Sequence, residues 1–423
     1  MKKAIGIVVV LVLVGVLAYF WVIPTFFKAP SSPSTSSGPI TVASLSESTS
    51  PSGANAQEFF VKAGDIFPSS KKMSDVTATA GKTVTAMDYA AAEKLLPELA
   101  PCEPVFAAIQ KGVNADLNYG PEDLSATQLM PSFWHAQMSG KSLLVKGMAL
   151  ENQKKLNEAA DAYLLAVQFG GTFPGKNTSL IQQLIGIAIE KNAYQPLKQF
   201  VLNHPDDKSD LKRIIETLDK VEQKRMPITE SFNAEKKCFE NTFKHLKDFA
   251  KKDKELGKLS ATEGQRILDE VDKIMTYQLT ALAMPYPELK KELGVSQNKT
   301  VDMKVQEMLN SAHPFLQNTL HNIVDAQIRY LSAATDNRLV RIMAALQLYH
   351  QDNQAYPDSL SELVPNYLTT VPKDYFTESD FIYGKQGDSF YLYSVGPDMM
   401  DNHEKPVYDP NHGNLSRGDI IGK

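Results

Sequence analysis

Few side chains in this sequence have the types and spacing to do chemistry together. Near its end, Asp401, His403, Glu404, Asp409 and His412 lie close together and carry the oxygen and imidazole donors of a zinc site. The pair His403-Glu404 lacks the second histidine of an H-E-x-x-H helix, so a solvated polar loop is the expected state. Farther up, His313, His321 and Asp325 fall near one face of a helix. The two histidines would stand about 12 Å apart along its axis, too far to share a metal. Cys102 and Cys238 have no surrounding motif that would make either a nucleophile. His135, beside Trp134, reads as a packed amphipathic side chain rather than a base. There is no G-x-S-x-G elbow and no glycine-rich phosphate loop on a strand-to-helix turn. The expectation is a protein that is not an enzyme. The alternative is an extracytoplasmic hydrolase whose site is assembled from distant residues of the helical body.

The elements that must position these residues are bounded by composition. The chain has 423 residues, 43% apolar, 22% charged and 9% aromatic, which excludes a wholly disordered or collagen-like polymer. A net charge of −5 gives no electrostatic footprint for nucleic acid, and no nucleotide site has support. Two cysteines exclude a disulfide-dense scaffold and a Cys-only structural zinc site.

Residues 1–28 read as a signal anchor. Lys2 and Lys3 precede an uncharged apolar run, Ala4 to Ile23, that ends in Tyr19-Phe20-Trp21 and is stopped by Pro24. As a helix this run spans about 30 Å, the thickness of the hydrocarbon core. It is longer than the apolar region of a cleaved signal peptide. The lysine pair predicts a single-pass protein of the bacterial inner membrane, with a cytoplasmic amino terminus and the bulk of the chain in the periplasm. Residues 29–56 are rich in Ser and Pro and cannot bury enough apolar surface to order themselves. They are expected to form a disordered tether reaching about 30 Å. Outside the membrane a disulfide between Cys102 and Cys238 would persist, closing a long loop and contributing about 5 kcal/mol. Two separate buried thiols are the other reading.

Residues 57–335 carry mostly helical periodicity. Helices are expected at Ser209–Met226, Ala234–Leu256, Thr262–Met284 and Val301–Tyr330, the last with Pro314 as a kink or start. The lysine-rich stretch from Lys236 to Lys258 is interleaved with acids and reads as a solvated face. Gly147, Leu150, Ala159, Tyr163 and Ala166 follow the spacing G-x2-L-x8-A-x3-Y-x2-A, with a turn near Asn152 to Asn157. This unit resembles one tetratricopeptide repeat, in which small residues let two antiparallel helices approach and the tyrosine fills the groove between them. There is no second convincing copy, so a plain helical hairpin in an irregular bundle stands beside a short repeat array.

Residues 336–423 carry the most specific pattern. A helix from Asp336 to about Tyr349 leads to a turn, a short helix capped by Asp358 or Ser359, and two strands, Phe381–Tyr383 and Ser389–Ser394, around a Gly384–Asp388 loop. With Leu348-Tyr349, Asp352-Asn353, Tyr356-Pro357, Leu392 to Ser394, Gly396, Asp398 and Asp419-Ile420 in place, this segment resembles the type II secretion major pseudopilins after their long first helix. The resemblance covers about a fifth of the chain. It implies a small α+β domain with an antiparallel sheet and a calcium site in the loop after the last strand. Val395 matches the carbonyl ligand and Asp398 the first acidic ligand. The second acidic ligand would be Asp401 or Asp409. Calcium accepts such irregular sets of oxygens, yet Asp398 and Asp401 could equally be turn formers bonded to their own backbone.

The chain also departs from that family. The family's short glycine-rich stretch is replaced by residues 399–409. Gly6 is followed by Ile-Val-Val-Val-Leu, with no acidic residue among them, and some 300 residues separate the apolar run from the pseudopilin-like end. A reused domain on a different anchor is therefore expected. The protein should neither be processed nor polymerise as a pilin does. The function expected is a membrane-tethered, periplasmic interaction or scaffold protein, linked to secretion and partnered by other envelope proteins.

Overall fold

The computed structural model describes residues 53–120, 133–244, 259–292, 303–317, 323–409 and 418–423. The apolar run at 4–23, and the tether as far as residue 52, lie outside them. Among the described residues no helix is long and apolar enough to cross a membrane. The last tether residues, Gly53 to Ala56, belong to the folded body. The Asn55 amide donates to the Tyr119 carbonyl at 2.8 Å, and its oxygen caps the first helix by accepting from Gln57 N.

The protein is mainly helical, with a small antiparallel sheet at its carboxyl end. Helices α1 (Ala56–Asp65), α2 (Lys71–Ala86), α3 (Tyr89–Leu95) and α4 (Glu103–Val113) form the amino-terminal layer, with a 3-10 turn at Leu96–Cys102. Ser70 and Asp88 start α2 and α3 by accepting hydrogen bonds from the third residue of each helix.

The expected hairpin follows as α5 (Phe133–Asn152) and α6 (Leu156–Thr172). Its helices approach because Gly147 has no side chain, for a Cβ there would lie 2.4 Å from the Tyr163 ring. Tyr163 fills the groove and donates to the buried Glu151 carboxylate at 2.8 Å. Next come α7 (Leu180–Asn203) and α8 (Lys208–Lys224). Successive helices pack as neighbours, α5 on α6 and α6 on α7. Alternate ones also touch, α5 with α7 and α6 with α8, as in a stacked array of hairpins. The pair α9 (Ile228–Lys244) and α10 (Ala261–Leu282) flanks it, and α11 (Tyr286–Glu292), α12 (Met303–Ser311) and α13 (Pro314–Gln317) follow. Pro314 starts a helix, one of the two roles expected of it.

The sequence suggests a helix ending near Tyr330 and another starting at Asp336. The structure has one helix, α14 (Ile323–Asn353), running through both, so the junction at 335 and 336 falls inside it. It packs on α7, α8 and α10 of the body and on the sheet of the carboxyl end. From Leu331 to Leu348 every residue is buried except Arg338, which is half-buried. At 31 residues α14 is about 46 Å long.

Beyond α14 a 3-10 turn, Leu360–Leu363, is closed by Glu362, whose carboxylate accepts from the Asp358 and Ser359 backbone amides. Strands β1 (Ile382–Gln386), β2 (Ser389–Ser394) and β3 (Ile420–Ile421) pair antiparallel in that order. The expected five-residue hairpin loop shrinks to Gly387 and Asp388, with Gly387 at φ +58°. Gly384 lies within β1 opposite Tyr391, and a Cβ there would stand 2.2 Å from the tyrosine hydroxyl. The third strand adds to the two that the sequence predicts. Its two residues give too short a run for a periodic signal.

Candidate functional site

The loop after β2 holds the residues expected to bind calcium, and one carboxylate oxygen each of Asp398 and Asp401 serves the loop's own backbone. Asp398 accepts from Met400 N at 3.0 Å and from the Asn402 side chain at 3.1 Å. Asp401 accepts from His403 N at 2.9 Å and from the Tyr393 hydroxyl at 3.0 Å. Both are Asx turns, the turn-forming alternative for these residues. The backbone amide of His403 leads the contacts that hold the Asp401 carboxyl below the usual carboxylate range. Val395 is buried and Asp409 half-buried. The carbonyl oxygens of Pro397 and Asp398 accept from Lys290 Nζ at 3.1 and 2.7 Å, so a protein cation already serves that side of the loop. Among the described residues no three His, Cys, Asp or Glu side chains converge as a metal site.

Asp419 organises this loop, a role beyond its place in the pseudopilin-like pattern. It is fully buried and accepts from Asn402 N at 3.3 Å and Glu404 N at 2.7 Å. Burial raises its carboxyl above the ordinary value despite those two amides. His403 is exposed beside Asp401, as a solvated loop histidine. His412 and His321 lie outside the described residues. The His313 amide donates to Glu270 at 2.6 Å, and Asp325 pairs with Arg329 one turn along its helix.

The cysteines do not pair. Cys102 is a free buried thiol at the end of the 3-10 turn, and Cys238 a free half-buried thiol on α9. Their segments pack on different neighbours, the turn on α5 and α9 on α7 and α10. Burial, then a neighbouring glutamate, pushes each thiol up to about 12, so neither is a nucleophile at neutral pH. His135 stacks on Phe67 with ring centroids 5.0 Å apart, and burial lowers its pKa. It packs as expected.

The larger polar constellation lies along α14. Lys191 and Lys198 of α7 both bind the buried Asp336 carboxylate, and Lys198 also donates to the Ile421 carbonyl of β3 at 2.6 Å. Asn337 donates to the Leu218 carbonyl of α8 at 3.1 Å. Arg341 pairs with Glu222 and Asp219 of α8. Glu222 also takes Arg338 and the Tyr375 hydroxyl, while Tyr356 donates to Gln347 at 3.0 Å. These bonds tie α14 to the array on one side and to the carboxyl-terminal segment on the other. They pair opposite charges between elements, so losing one partner would strand the other inside the protein. Apart from Tyr356 and Gln347, sequence spacing could not have found them, because their partners lie a hundred or more residues apart.

No protein-family model, no curated protein and no solved structure matches this chain.

Proposed function

We propose that this protein is a membrane-tethered periplasmic scaffold, in which a helical array holds a pseudopilin-like carboxyl-terminal module for other envelope proteins to bind. One observation carries the reading. Helix α14 belongs to both parts, so the module is built onto the array and not hung from a flexible linker. A module fixed in this way keeps a constant orientation to its neighbours, which suits assembly more than capture at a distance. The order helix, 3-10 turn, hairpin and third strand supports the pseudopilin likeness. The apolar run at 4–23 supports the tether.

A phosphatase that folds only outside the cytoplasm, fused after Lys423, tests the orientation. Full activity is expected, and activity of a cytosolic reporter at the same position would overturn the reading. Crosslinking in intact cells followed by solubilisation and pull-down tests the scaffold role. Recovery of envelope or secretion components is expected. Their absence, with the tether intact, would leave the scaffold without support.

A further inference from the structure

A groove of about 580 Å³ opens where α2, α5 and α7 meet. Lys82 and Thr85 come from α2, Lys141 from α5 and Asn192 from α7, while Ala78 and Val84 supply apolar wall. The groove owes part of its room to Gly81. A Cβ there would lie 3.6 Å from Lys141 Nζ and 3.7 Å from its Cδ, so the lysine stem lies across the bare backbone of α2.

Lys141 differs from the other lysines buried in the helical body. Lys146, on the same helix, is paired with Glu103 at 2.7 Å. Lys191 and Lys198 share Asp336. Among the described residues Lys141 makes no hydrogen bond and no ion pair, and no charged side chain offsets the burial that lowers its pKa. A half-buried ammonium without a counter-charge is destabilising, and an anion entering the groove would remove that penalty. Lys82, exposed at the rim, adds a second positive charge, and Asn192 and Thr85 add neutral polar groups.

We infer that this groove binds a small organic anion. Its anionic oxygens, carboxylate or phosphate, lie against Lys141 and Lys82, and its apolar body lies on Ala78 and Val84. The volume exceeds what a bare inorganic ion fills, and the walls are apolar between the polar groups, so charge and shape both select an anion with a carbon body. This site is independent of the scaffold reading and could fail while that reading stands.

The test is calorimetric titration of the full detergent-solubilised chain with benzoate, phenyl phosphate, inorganic phosphate and neutral benzamide. Saturable binding of benzoate or phenyl phosphate is expected, with much weaker binding of inorganic phosphate and benzamide. The tighter of the two aromatic anions identifies the head group. Lys141→Met keeps the stem and removes the charge. It should weaken anion binding about tenfold or more and leave the melting temperature unchanged or raised. In the unaltered chain, saturating phenyl phosphate should also slow acetylation of Lys141 relative to exposed Lys62. This readout needs no variant. Absence of saturable anion binding, unchanged affinity in Lys141→Met, or unprotected Lys141 would overturn the assignment.

Discussion

Lys198 Nζ lies 2.6 Å from Asp336 Oδ1 inside the protein, and the same ammonium holds the Ile421 carbonyl of the last strand. Burial pushes the Asp336 carboxyl up, but the Lys191 and Lys198 ammoniums beside it pull further, so it is held below the ordinary carboxylate value. Helix α7, helix α14 and strand β3 therefore meet at one carboxylate.

Removing that charge strands two half-buried ammoniums. Asp336→Asn should destabilise the protein by about 3–5 kcal/mol in urea denaturation. Replacing all three groups, with Lys191→Met, Asp336→Leu and Lys198→Met together, should recover most of that loss, because the desolvation penalty goes with the charges. A single variant within about 1 kcal/mol of wild type would show that the triad is solvated.

The hairpin depends on the contact of Gly147 with Tyr163. Gly147→Ala places a methyl group 2.4 Å from ring carbon Cε1 and should cost about 1–3 kcal/mol through overpacking. Pairing it with Tyr163→Leu relieves the clash, so the double variant should be more stable than the sum of the single effects predicts. Additive effects in thermal unfolding would mean that the helices move apart freely.

How far the sequence revealed these features varies by element and has a physical cause. Helix α8 was legible because Leu211, Ile214, Leu218 and Val221 are its buried face and, apart from Ile215, the rest is polar. Tyr163 and Gly147 were legible because their roles sit within one hairpin. Helix α14 was not. It is buried on nearly all sides, so it has no polar face to set a period, and Ser332, Thr335, Asp336, Asn337, Arg341 and Gln347 interrupt its apolar residues. Each reads as a surface position until its partner is known. Gly384 looked like a turn residue, and only Tyr391 across the strand pair explains it. Lys141 and Lys146 are alike in sequence. What separates them is a glutamate 43 residues from Lys146, with no counterpart at Lys141.

The two cysteines give a direct chemical prediction. Both should react with a thiol reagent once the purified chain is unfolded without reductant, and reductant should leave the melting temperature unchanged. A drop in melting temperature on reduction would mean that they pair, and that the packing of the turn on α5 and of α9 on α7 must differ from that described.

A pH dependence should come from Glu235, which is buried on α9 and accepts from Leu180 N at 2.9 Å at the start of α7. Burial raises its carboxyl to about 6 from an unfolded value of 4.5, against the lowering effect of that amide. The folded state thus holds the proton more tightly than the unfolded chain does. The stability this supplies is fully present below pH 4.5 and is lost as pH rises through about 6. The shift is worth up to about 2 kcal/mol. Glu235→Gln keeps the acceptor for Leu180 and removes the charge. It should match wild type near pH 4 and exceed it by up to about 2 kcal/mol near pH 8. Comparing the two proteins in urea at each pH isolates this group from the other carboxylates, including Asp336, whose lowered pKa acts in the opposite sense. A difference that stays constant across that range would show that Glu235 titrates at its ordinary value and that water reaches it in the folded protein.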